Sequence, residues 1–88
     1  MNTFAVMIRE PEARTLESLN DQYEPDNVYQ INSTTFLVRT KQLAEAVSVA
    51  AGIKGEDRFA SGVVFKLNRS YAGYTARSLW EWLQEGEE

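Results

Sequence analysis

The sequence predicts an α+β domain: one antiparallel four-stranded sheet with two helices on one face, followed by a third helix. Three observations predict it. Four short segments have strand length and strand-like apolar patterning. Segments between them repeat apolar residues at helical spacing. The resulting order is strand, helix, strand, strand, helix, strand, helix, with no repeat or low-complexity linker between elements. At 88 residues the chain is expected to form one domain.

Thr3–Ile8 alternates, with Phe4, Val6 and Ile8 on one side and Ala5 and Met7 on the other, which predicts a strand. Glu10-Pro11-Glu12 then opens a helix over 11–22, because proline suits a first helical turn and acids suit its positive end. Ala13, Leu16 and Leu19 supply the apolar stripe, and Pro25 ends the helix by disfavouring helical backbone at Glu24. Strands over 27–31 and 35–39 flank Asn32-Ser33-Thr34, a hairpin turn by composition. Thr40 is the expected N-cap of a helix over 41–51, with Leu43, Ala46, Val47 and Ala50 inward and Gly52 as its C-terminal stop. A strand over 60–67 and a helix over 76–84, capped by Thr75, complete the chain.

The first six elements follow the split βαββαβ plan of ferredoxin-like folds. Residues 1–67 form that expected core, and residues 68–88 form an aromatic C-terminal segment. Phe4, Val6, Phe36, Val38, Val63 and Phe65 are expected under the two helices. Ala5, Met7, Leu37, Arg39, Val64 and Lys66 are expected on the opposite face, which is too apolar to leave bare. In the last helix Ala76, Leu79, Trp80 and Leu83 share an arc, with Trp82 at its side. An aromatic tail of this kind is a means of covering the second face, on the same chain or on a neighbour.

Three stretches carry a resemblance. The hairpin strand "FLVRT" running into a helix, the late "VVFKLNRSYAGY" and the closing "SLWEWL" resemble small ferredoxin-like proteins allied to the CRISPR-associated endoribonucleases, a group with toxin–antitoxin relatives. The resemblance implies a homodimer built through sheets or C-terminal segments, acting on or near nucleic acid. In its nuclease members an aspartate closes the first strand and holds a divalent ion between subunits. Here that strand closes with Ile8-Arg9-Glu10, and no aspartate precedes Asp21. Glu10 is the one candidate oxygen ligand at that place, and magnesium enters only under a nuclease reading.

Composition narrows the chemistry. The chain holds no cysteine and no histidine, which excludes a disulfide frame, thiol nucleophiles and Ser-His-Asp or Cys-His machinery, and argues strongly against zinc and copper sites. "GIKGED" lacks the strand–loop–helix order of a phosphate-binding loop. The pairs Glu10/Glu12 and Glu56/Asp57 read as solvated surface. No apolar run approaches the ~18 residues of a membrane span. The start "MNTFAVMIRE" lacks the pattern of a secretory signal, and a cytoplasmic setting without membrane contact is expected.

The net charge is −4, unevenly spread. Residues 1–30 carry two arginines against six acids, residues 31–80 seven bases against three acids, and residues 81–88 four glutamates. A basic middle between acidic ends reads first as salt-bridging between segments and second as a face for an acidic partner.

The expected function is that of a non-catalytic dimeric interaction or regulatory module, with a second copy or another protein as partner. Met7, Leu37, Val64, Tyr71, Tyr74 and Trp82 are the candidate interface. Arg39, Lys66 and Arg69 are candidate phosphate contacts. No cofactor is expected. Two alternatives stand beside this reading: a metal-dependent endoribonuclease using Glu10, and an acidic, phage-type anti-CRISPR-like inhibitor of a nucleic-acid-binding complex.

Overall fold

In the computed structural model, residues 1–67 and 77–85 are described, and in the last helix the side chains of Leu79 and residues 81–84. Alternation in the first strand, β1 (Asn2–Ile8), buries Phe4, Val6 and Ile8. The first helix, α1, spans Ala13–Gln22, so the proline precedes it instead of lying in its first turn. Glu12 is the N-cap: its Oε1 accepts from Arg14 N at 3.3 Å and from Arg14 Nε at 2.7 Å. Pro25–Asn27 form a single 3-10 turn before β2 (Val28–Asn32). Asn32 shapes the hairpin, with Oδ1 accepting from Thr34 N at 2.9 Å. β3 is Thr35–Thr40, α2 is Ala44–Ala50, β4 is Gly62–Leu67 and α3 is Arg77–Glu85.

The four strands form one antiparallel sheet in the order β2-β3-β1-β4. Central β1 and β3, a β2–β3 hairpin and helical connections from β1 to β2 and from β3 to β4 are compatible with the ferredoxin-like plan. Leu19 of α1 and Val47 of α2 are fully buried against Phe4, Val6, Phe36 and Val38. Two hydroxyls of α1 join the helices. Thr15 Oγ1 donates to Ala51 O at 3.1 Å, and Ser18 Oγ donates to Ala50 O. They satisfy carbonyls that a helix end leaves orphaned.

The sequence expectation fails at three places in this core. Val63 and Phe65 are not inward; they are 45% and 52% exposed, while Val64 packs on the core. The register shows why. Val64 lies opposite Val6 and Phe65 opposite Ala5, so β4 takes its parity from β1. A one-residue slip would exchange every side chain between faces. Gly62 helps fix the register, because a Cβ there would run into Met7 O and lie 2.9 Å from Ile8 Cα. Second, Thr40 ends β3 and its Oγ1 accepts from Gln42 N at 3.1 Å, so it caps a turn, while Leu43 stands at the helix N-cap. Third, that leaves Leu43 76% exposed instead of inward. Gly52, however, ends α2 as expected, with φ of 82° and Ile53 N donating back to Ser48 O at 2.9 Å.

Candidate interaction surface

The sheet face opposite α1 and α2 divides into two halves. Over β2, β3 and the adjoining ends of β1 and β4 it is covered by α3. Leu79, Trp82 and Leu83 are buried there with Leu37, and Ala5, Tyr29 and Leu67 pack around them. Trp82 therefore faces inward, where the sequence reading had it at the side of the arc. Tyr29 and Trp82 meet with ring centroids 5.8 Å apart, tilted by 49°.

Arg39 organises this contact. It projects from β3 onto the covered face and is only 7% exposed. Its guanidinium lies 4.0 Å from the Trp82 ring centroid. Nη1 donates to Trp82 O at 2.8 Å and Nη2 to Asp26 O at 2.6 Å. Trp82 Nε1 donates to the same Asp26 carbonyl at 3.0 Å. One cation thus ties the strand, the 3-10 turn and the last helix together. Nε is the buried side-chain nitrogen left without a partner among the described residues.

Beyond Ala5 and Leu67, no described residue covers the rest of this face, at Met7 of β1 and Val63 and Phe65 of β4. Met7 is 45% exposed and stands opposite Val63; Phe65 lies one step along the same face. These three side chains form an apolar patch that reaches the outer edge of the sheet. The structure therefore brings together a different set from the one read in the sequence. Met7 remains available. Leu37 and Trp82 are occupied within the chain, and Val64 is on the core side. Arg39 is occupied by carbonyls and a ring, and Lys66 is exposed on β4. Arg69, Tyr71, Gly73, Tyr74, Thr75 and Ala76 lie outside the described residues, as does the side chain of Trp80. Val63 and Phe65 are the surface residues the sequence reading missed. Three consecutive apolar residues gave no parity, and only a glycine that must sit against β1 could have supplied it.

The carboxylates show no comparable convergence. Among the described residues no three acidic side chains gather as a metal site. Glu10 is exposed at the rim of a cleft of ≈ 280 Å³ lined also by Arg9, Glu12, Phe59 and Ser61. Glu12 is committed to Arg14, whose hydrogen bonds hold its carboxyl below the ordinary range. Elsewhere, partial burial raises the Tyr23 phenol, which donates to Gln42 Oε1 at 2.8 Å. Its contribution to stability is intact below the unfolded value near 10 and is lost as pH rises through the higher folded value. Chemical denaturation across that range should show a steeper alkaline loss in the wild type than in Tyr23→Phe. Among the described residues no helix is long and apolar enough to cross a membrane.

No family model, curated protein or solved structure matches this chain.

Proposed function

We propose that this chain is a non-catalytic interaction module of ferredoxin-like plan that acts as a homodimer. The observation that supports it is the Met7–Val63–Phe65 patch, apolar side chains left in water on a sheet face whose other half is already covered. A domain of this size gains from covering such a surface. The setting drawn from the resemblance is regulation or inhibition of a nucleic-acid-handling or defence system in the cytoplasm. Nucleic acid itself is not the ligand in this reading. RNA-binding sheets of this plan stack bases on aromatics of the central strands, and here Leu37 lies under α3 while Arg39 is committed to carbonyls.

Two measurements test the reading. Sedimentation through the micromolar range should show a reversible dimer. Incubation with single- and double-stranded RNA and DNA, with magnesium or manganese, should leave every substrate intact. Cleavage that disappears in Glu10→Gln, with fold and assembly unchanged, would instead establish the endoribonuclease. That chemistry needs an oxygen cluster holding a metal against the phosphate.

A further inference from the structure

Among the described residues the outer strands of the sheet are β2 and β4, and their edges differ. β2 is blunted: its register with β3 shifts between Gln30 and Asn32, and Gln30, Ile31 and Asn32 are exposed. A bulge and polar side chains are means by which edges avoid pairing with other chains. β4 has neither. Its six residues pair with β1 in unbroken register, it contains no proline, and it carries one charge, Lys66.

The hydrogen-bond parity of β4 follows from one contact. Arg9 N donates to Ser61 O at 2.7 Å. In an antiparallel pair the N–H and C=O of one residue point to the same side, and the side alternates along the strand. Val63, Phe65 and Leu67 therefore direct their backbone groups to β1. Gly62, Val64 and Lys66 direct theirs outward.

We propose that the β4 edge binds a second copy of itself, antiparallel about a two-fold axis at Val64, making one continuous eight-stranded sheet. This rests on the dimeric reading above and gives it an interface. In this register the outward groups of Gly62 meet those of Lys66 of the second copy, and Val64 meets Val64. About six backbone hydrogen bonds form. On the open face Val63 stands directly opposite Phe65 of the second copy. That is a non-hydrogen-bonded pair, the arrangement in which cross-strand side chains come closest. The two Met7–Val63–Phe65 patches become one apolar stripe. Lys66 faces a glycine, so no like charges oppose each other. Moving the register by two residues would set Phe65 against Phe65 and Lys66 against Val64, breaking the Val63–Phe65 pairs.

The register can be read by charge exchange in the full 88-residue chain. Val63→Glu and Phe65→Glu each place two charges in the dimer but act on side chains already exposed in the monomer, so circular dichroism should be unchanged. Sedimentation should show association weakened on the order of 100-fold, because each substitution acts twice. The double variant Val63→Glu/Phe65→Lys should recover to within about tenfold of wild type. The new carboxylate then faces the new ammonium of the second copy. Independently, Val64→Cys should oxidise to a covalent dimer, since paired residues at this position lie ~5.5 Å apart, within disulfide range. Lys66→Cys should not. A wild type monomeric at every concentration would overturn the edge dimer and the dimeric reading together. A dimer indifferent to both single glutamates would overturn the edge alone. Weak single variants with no recovery in the double variant would overturn the register.

Discussion

Trp82→Ala is expected to lower stability by about 3–5 kcal/mol, the usual cost of truncating a buried tryptophan. For 88 residues the whole folding free energy is roughly 4–13 kcal/mol, so this is a large share. Three contacts are lost together. The indole fills the space between Leu37, Tyr29, Leu79 and Leu83. Its N–H leaves Asp26 O. Its ring leaves the face of Arg39, which then stays largely buried without its π partner. Arg39→Lys tests the same junction from the other side. An ammonium can reach one carbonyl but cannot span Asp26 O and Trp82 O as the guanidinium fork does. Both variants should melt earlier, and both should speed amide hydrogen exchange in β2 and β3 more than in α1. If exchange instead rose uniformly at unchanged melting temperature, α3 would not be held by this junction.

The junction also shows where sequence patterning carries information and where it stops. The parity of β1 and β3 was legible because small or polar neighbours mark the other face: Thr3 and Ala5 beside Phe4, and Thr35 and Arg39 about Phe36 and Val38. The helix stop at Gly52 was legible because only glycine takes that backbone angle cheaply. β4 was not, since Val63, Val64 and Phe65 suit either face. On α3 Leu79 and Leu83 were legible as inward, but the place of Trp82 was not, since it lies to the side of their axis. What distinguishes Trp82 is a long-range partner. An arginine at an inward-facing strand position needs carbonyls and a π face, and α3 brings both. Periodicity has no access to a requirement that arises 43 residues away. The candidate site suffered most, because it sits on the one strand whose parity was ambiguous.

Gly52→Ala is the second large effect expected, and it arises from two separate causes. The first is backbone. At φ of 82° an L-residue brings its Cβ against the following carbonyl, costing about 1–2 kcal/mol. The second is space. A Cβ at this position would collide with the outer edge of the Phe59 ring, whose Cε1 would be 2.7 Å away. The ring cannot simply swing aside. Phe59 N and Ala60 N both donate to Gly52 O, at 2.8 Å and 3.0 Å, which fixes the segment against the end of α2. The Arg14 guanidinium packs over the other part of the site, 4.5 Å from the ring centroid. Displacing Phe59 therefore disturbs the start of α1, the end of α2 and the approach to β4 at once. A total loss of about 3 kcal/mol or more follows, overpacking alone being worth roughly 1–3 kcal/mol. The two causes separate experimentally. Phe59→Ala in the Gly52→Ala background removes the clash but leaves the backbone strain. Urea denaturation should find that adding Phe59→Ala to Gly52→Ala costs less than Phe59→Ala costs alone. Equal costs in the two backgrounds would mean that the ring never opposed the methyl group.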